Sequence, residues 1–220
     1  MTTTVEATKP AANKGGGLAG MVVADSRISF VDGAAGILEY RGYDIRVLAE
    51  NSTFDEVAYL LWNDHLPTAE QLEEMKRQSR ACRYMPPEII AALRNIPRNA
   101  DPMAVMRTAT SMLAHYDPES EDNTALAHTH KACRLMGQLS GVLAAYERIR
   151  RGEEPVKPRM DLDHAANFLW MLTGEDPDPT AAKALDQYLL LLAEHELNAS
   201  TFTARVIAST GSDLHSAITG

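Results

Sequence analysis

Cysteine is scarce in this sequence, which has only Cys82 and Cys133 among its 220 residues. A small disulfide-stabilised protein needs several paired cysteines, and a structural zinc site needs cysteines or histidines at short, regular spacing. Neither pattern occurs here. We therefore predict a protein of a reducing compartment, the cytoplasm, with no disulfide framework and no metal site.

Positive charge is also scarce, since 21 Lys and Arg stand against 30 Asp and Glu and give a net charge of −9. This balance argues against a nucleic-acid partner but still allows a small anionic substrate. No apolar run is long enough to cross a bilayer, and residues 1–17 lack the apolar centre of a secretory signal. We expect residues 1–17 to form a flexible tail, with no membrane partner.

Start and stop signals beyond the first 50 residues predict helices. Thr53 with Glu56 and Thr68 with Gln71 fit capping boxes, in which each side chain satisfies a free backbone amide. Proline at a helix start is expected at Pro87 and Pro102. Apolar residues recur at helical spacing over residues 123–151, 161–173, 179–195 and 200–220. The sequence predicts a mainly α protein with eight or more helices.

The segment before these helices is expected to be extended. Residues 21–23, 28–31 and 36–40 are rich in apolar and β-branched residues, and Asp32-Gly33 is a strong turn signal. We predict a short β-hairpin.

His195 is the most informative candidate for chemistry. It follows a predicted buried stripe of a helix, and Asn198 interrupts that helix. Ser200 and Thr201 are suitable caps for the next helix, whose free amides and dipole favour anions. An imidazole placed there is able to donate a hydrogen bond to a carboxylate or carbonyl. On spacing alone, a structural histidine is the more common alternative. The apolar stripe consists of Leu185, Tyr188, Leu189 and Leu192.

Other polar groups are weaker candidates. His128 and His130 are two residues apart and point to different helix faces, so shared metal ligation is not expected. The basic run 148–151 fits either a phosphate-binding group or a solvated helix end, where cations suit the dipole. His115 and His215 are expected to be structural.

The run Glu194-His195-Glu196-Leu197-Asn198-Ala199-Ser200 resembles the first histidine motif of citrate synthases. Similar segments recur in the family's order over residues 18–220. They are Tyr40-Arg41-Gly42-Tyr43-Asp44-Ile45, Pro67-Thr68, the eight residues from Asp101 to Thr108, Asp163-His164-Ala165-Ala166-Asn167-Phe168, Ala204-Arg205-Val206 and Ser212-Asp213-Leu214.

The resemblance implies that residues 18–220 form the N-terminal part of a multi-helical, citrate-synthase-like large domain, incomplete and without the small domain that closes over CoA. It implies condensation of acetyl-CoA with oxaloacetate, both as substrates, with no cofactor. His195 is implied as the catalytic residue that contacts oxaloacetate, and Asn198 and Ser200 as substrate-binding residues. It also implies a homodimer or a partner chain that supplies the C-terminal half.

The sequence also departs from the family pattern. The Gly-Pro-x-His-Gly motif with the enol-stabilising histidine does not occur in these 220 residues, and no carboxylate is assignable as the base. We therefore expect this chain alone to be inactive. Alternatives are part of a 2-methylcitrate synthase, a non-catalytic helical dimerisation module, and a carboxylate-binding regulatory protein.

Overall fold

Helix dominates the computed structural model, which describes residues 24–220. The strands are β1 Ser29–Asp32, β2 Ile37–Tyr40 and β3 Tyr43–Asp44. The helices are α1 Ile45–Asn51, α2 Phe54–Asn63, α3 Ala69–Ala81, α4 Pro87–Arg94, α5 Pro102–Leu113, α6 Ala125–Arg151, α7 His164–Thr173, α8 Pro179–Leu191, α9 Ala199–Ser209 and α10 Leu214–Thr219, with a 3-10 turn at Ala114–Tyr116. The mainly α prediction is confirmed.

The three strands form one antiparallel sheet in the order β1-β2-β3. The Asp32 carboxylate accepts hydrogen bonds from the amides of Ala34 and Ala35 at 3.0 and 2.9 Å, which stabilises the turn between β1 and β2. The predicted hairpin is confirmed, and β3 extends it by one short strand. The expected tail at 1–17 and the expected strand at 21–23 lie outside the described residues.

Helix starts follow the capping signals in the sequence. Thr53 and Thr68 each form a complete capping box with Glu56 and Gln71. Proline occupies the first position of α4 and of α5. These signals act within one turn of chain, so the local sequence is enough to place the starts of these helices.

Two clusters of buried side chains form the core. The larger joins α4, α5 and α6 through residues such as Leu93, Leu113 and Tyr146. The smaller joins the sheet to α1, α2 and α8, and includes Tyr40 and Leu190, both completely buried. The second cluster therefore fixes the end of α8 against β2.

Several predicted boundaries near the chain end are wrong. Helix α8 ends at Leu191, four residues before His195. Tyr188 and Leu192 of the predicted buried stripe are 58% and 59% exposed, because α8 turns Leu190 towards the core instead. The expected single last helix is two helices, α9 and α10. They are separated at Gly211, whose φ of +81° is incompatible with a continuous helix. Helix α7 begins at His164, not at 161.

The two cysteines are neighbours, which the sequence did not predict. Both are free thiols, and the neighbouring Cys133 thiol lowers the pKa of Cys82. A side chain at Gly137 would meet the Cys82 backbone at 3.3 Å, so glycine lets α6 approach the end of α3 closely.

Two buried titratable groups near the start of α2 respond to pH in opposite directions. Burial lowers the pKa of His164 to about 4, and the positive charge of Arg83 acts in the same direction. Burial raises the pKa of Asp55 to about 6. His164 therefore favours the folded state at high pH, and Asp55 favours it at low pH.

Replacing His164 by phenylalanine is expected to reduce the loss of stability in acid. As pH falls below the ordinary histidine value of about 6.5, the unfolded chain takes up this proton before the folded chain does. Between pH 7 and pH 5, His164 therefore lowers the free energy of unfolding by about 2 kcal/mol, and the opposite response of Asp55 offsets part of this loss. Urea denaturation of both proteins at the two pH values measures the difference. An equal loss in the variant would contradict the assignment to His164.

Candidate functional site

His195 is an exposed residue of the partly buried segment between α8 and α9, which we call the histidine segment, residues 192–198. This segment has neither helix nor strand. The imidazole is therefore at an interhelical break and accessible to solvent, as the sequence predicted. It is not a buried core histidine, which was the structural alternative.

Asn198 begins α9 and also orients the His195 ring. Its side-chain oxygen accepts from the Thr201 amide at 2.8 Å, which makes Asn198 the N-cap and corrects the expectation that Ser200 or Thr201 caps this helix. The Asn198 NH2 group lies 3.0 Å from His195 Nε2. Because an amide NH2 group only donates, Nε2 is the acceptor and the ring hydrogen is on Nδ1. The sequence-predicted pair is thus brought together, with Nδ1–H left as a donor.

The start of α9 offers further donors beside His195. The amides of Ala199 and Ser200 donate to no acceptor within residues 24–220, and the first turn of α9 carries no acidic side chain. Ser200 is exposed at the second position of the helix. Free amides and the positive end of the helix dipole favour an anion at this place. The arrangement suits a small carboxylate with an oxygen that accepts from His195.

The N-terminal sheet holds the histidine segment on both sides of His195. The Tyr40 hydroxyl donates to the Leu191 carbonyl at 3.0 Å and accepts from the Glu194 amide at 3.2 Å. The Ser29 hydroxyl donates to the Glu194 carboxylate at 3.0 Å and accepts from the Glu196 amide at 2.9 Å. Burial raises the pKa of Tyr40, which keeps its hydroxyl protonated. Sequence reasoning missed both residues, since no local pattern links β1 or β2 to residue 195.

Glu196 has an unusual backbone conformation, with φ of +69°. A left-handed conformation costs a residue other than glycine about 1–2 kcal/mol. The Glu196 carboxylate accepts from the Val31 amide at 2.8 Å and the Glu196 amide donates to Ser29, so contacts to β1 hold the residue in place. Strain of this kind is often found at functional sites.

The weaker candidates from the sequence form hydrogen bonds or ion pairs with residues outside the histidine segment. His128 contacts Asn123, whereas His130 pairs with Glu119 at 3.0 Å. Within residues 24–220, no group of three or more His, Cys, Asp or Glu is placed to hold a metal ion. In the basic run 148–151, Arg148 pairs with Glu153 and both Arg150 and Arg151 pair with Glu147. None of the helices described is long and apolar enough to cross a membrane.

Replacing Asn198 by aspartate is expected to invert the His195 tautomer while preserving the helix cap. A carboxylate still accepts from the Thr201 amide, but it only accepts, so the ring hydrogen moves to Nε2. Nitrogen-15 NMR of the imidazole distinguishes the two forms.

Asn198→Ala is the matched control for the cap, because it removes both interactions. We expect it to destabilise the chain by about 1 kcal/mol, whereas the aspartate variant retains its stability. Protonation at Nδ1 in the aspartate variant would contradict the proposed orientation of the ring.

Comparison with known proteins extends over nearly the whole chain. Residues 17–220 match a family model described as citrate synthase, C-terminal domain. A citrate synthase of Haloferax volcanii is 45% identical over 207 residues, covering 92% of this chain and 55% of the relative. A 2-methylcitrate synthase of Mycobacterium tuberculosis is 43% identical over 204 residues, covering 93% of this chain and 51% of the relative.

A solved structure supports the same relationship. The ternary complex of a Thermoplasma acidophilum citrate synthase with carboxymethyl coenzyme A and oxaloacetate superimposes with a TM-score of 0.86 at 27% identity, covering 92% of this chain and 53% of that one. The present chain therefore spans about half the length of the proteins it matches.

Proposed function

Because the chain belongs to the citrate synthase family, we propose that it supplies the oxaloacetate-contacting part of a citrate synthase. This acyltransferase condenses acetyl-CoA with oxaloacetate, and water then hydrolyses the thioester to give citrate and CoA. The observation that carries this proposal is the exposed His195 ring at the start of α9, where the Ala199 and Ser200 amides have no acceptor within residues 24–220. A ring donor and a helix start together match the ketone and carboxylates of a keto-acid.

His195 acts in this proposal as a hydrogen-bond donor to the ketone oxygen of oxaloacetate. The donor matters most as negative charge builds on that oxygen during attack by the acetyl carbon. Asn198 keeps the ring hydrogen on Nδ1 through its 3.0 Å contact to Nε2. Ser200 contributes its backbone amide, and its exposed hydroxyl is a second substrate-binding group. Acetyl-CoA is the second substrate, and no cofactor takes part.

We further propose that residues 18–220 are part of the large helical domain and do not catalyse the condensation alone. The Gly-Pro-x-His-Gly motif and the carboxylate base are supplied by a segment outside these 220 residues, together with the small domain that closes over CoA. Association as a homodimer, or with a chain carrying that segment, then completes a cytoplasmic enzyme of the tricarboxylic acid cycle.

The sharpest test of this proposal is to read the DNA that follows the Gly220 codon. A downstream frame encoding the Gly-Pro-x-His-Gly region, fused or separate, supports the enzyme. Co-expression of both parts is then expected to release CoA from acetyl-CoA and oxaloacetate, whereas the 220-residue chain alone releases none. No such frame would favour a helical dimerisation module. Oxaloacetate binding without one would favour a carboxylate-binding regulatory protein.

The second candidate is part of a 2-methylcitrate synthase, favoured by the 43% identity to such an enzyme. Oxaloacetate is the shared substrate in both reactions, and the acyl group differs. Comparing acetyl-CoA with propionyl-CoA in the completed enzyme separates the two, since the specificity ratio kcat/KM decides between them.

A further inference from the structure

We propose that Ser29 and Tyr40, on the N-terminal sheet, are positioning residues for His195. This inference rests on the proposed function of His195 and extends it to residues far away in the sequence. Neither residue forms a hydrogen bond with the imidazole in the part of the chain that the structure describes. Ser29 acts on the residues immediately before and after His195, and Tyr40 acts on the backbone before it.

The Ser29 hydroxyl joins the two neighbours of His195. It donates to the Glu194 carboxylate at 3.0 Å and accepts from the Glu196 amide at 2.9 Å. A single oxygen thus fixes the residue on each side of the histidine. Threonine is able to make the same two interactions, whereas alanine makes neither.

Tyr40 fixes the approach to the histidine segment. Its ring is fully buried with Leu190, and its hydroxyl bridges the Leu191 carbonyl and the Glu194 amide. The hydrogen bond from the Tyr40 hydroxyl satisfies the Leu191 carbonyl at the end of α8, which has no partner within the helix. By accepting from the Glu194 amide, the same hydroxyl also holds the residue immediately before His195.

Within the described residues, the His195 ring has one hydrogen bond, to Asn198. Its position therefore depends on the backbone of residues 194–196, and that backbone is held by the sheet. A binding group that is displaced by about 1 Å loses much of its effect. Removing the Ser29 hydroxyl should consequently loosen His195 without changing any group that contacts the substrate.

The test compares Ser29→Ala with Ser29→Thr in the full 220-residue chain. In the alanine variant, we expect amide hydrogen exchange at Glu196 to rise about tenfold, in line with the loss of one hydrogen bond. The His195 ring should change from one Nδ1–H form to a mixture of tautomers in nitrogen-15 NMR. The dissociation constant for oxaloacetate should rise about tenfold, and threonine should restore all three measurements.

Tyr40→Phe, with the exposed Tyr43→Phe as its matched control, tests the second residue. We expect faster exchange at the Glu194 amide and weaker oxaloacetate binding in Tyr40→Phe only. The inference is overturned if both hydroxyl deletions lower the melting temperature but leave the His195 ring signals and the oxaloacetate affinity of the folded chain unchanged. If the unmodified chain binds no oxaloacetate, the proposed function fails, while the ring and amide measurements still decide whether the sheet positions His195.

Discussion

Replacing His195 by alanine is expected to lower the rate of citrate formation by about a hundredfold or more, since one oxyanion-stabilising donor is lost. The assay uses the chain together with the segment that carries the Gly-Pro-x-His-Gly motif. The loss should fall mainly on kcat, because the donor is strongest when charge has built up on the substrate oxygen. The free energy of unfolding should change little, since the ring is exposed and its one hydrogen bond within residues 24–220 is to Asn198.

His115→Ala is the matched control for this substitution. His115 is also exposed, on the 3-10 turn after α5, and lies outside the histidine segment. We expect its variant to keep the activity of the unmodified protein. A His195 variant that is as active as the His115 variant would exclude His195 from the chemistry.

Replacing Asp117 by alanine is expected to destabilise the chain by about 2 kcal/mol, because it removes charge-assisted hydrogen bonds from the partly buried Arg134, which keeps its ion pair with Glu119. The carboxylate is 4% exposed and accepts two hydrogen bonds from Arg134, at 2.9 and 2.6 Å. It also accepts from the Glu119 amide and lies 3.5 Å from the buried His215 of α10. Asp117 thus joins the loop after α5 to both α6 and α10.

Urea denaturation of Asp117→Ala beside Glu121→Ala measures this effect. Glu121 is an exposed acidic residue in the same loop, and its loss should change stability by less than about 0.5 kcal/mol. If the two variants unfold at the same urea concentration, Asp117 does not join these helices in solution. Lys131 of α6 forms a second contact with this loop that does not involve Asp117. Its fully buried ammonium group donates hydrogen bonds to the Ser120 and Asp122 carbonyls.

Local sequence was sufficient for the helix starts and for the hairpin. The capping boxes at Thr53 and Thr68 and the prolines at α4 and α5 act within a single turn, and so does the Asp32 turn. The helix break at Asn198 beside His195 was likewise predicted, whereas the hydrogen bond between the two side chains was not. Features determined by neighbours along the chain were therefore predicted well.

Tertiary contacts decided what the sequence did not predict. The apolar residues of α8 suggested a buried stripe reaching His195, yet burial of Leu190 against Tyr40 rotates Tyr188 and Leu192 to the surface. The N-cap of α9 is Asn198 and not Ser200, since all three polar residues at this break are good caps and only the fold selects one. The burial of Lys131 and the contact between the two cysteines also depend on how α6 meets its neighbours.

The contacts between the sheet and the histidine segment join residues 154 and 167 positions apart. A ribosome that adds 5–20 residues per second needs roughly 10 to 30 seconds to make the chain between them. An isolated short sheet is only marginally stable in water, so β1 and β2 emerge long before the partner that completes them. Folding of the first strands during synthesis should therefore wait for residues 191–196. Until then, chaperones would have access to β1 and β2.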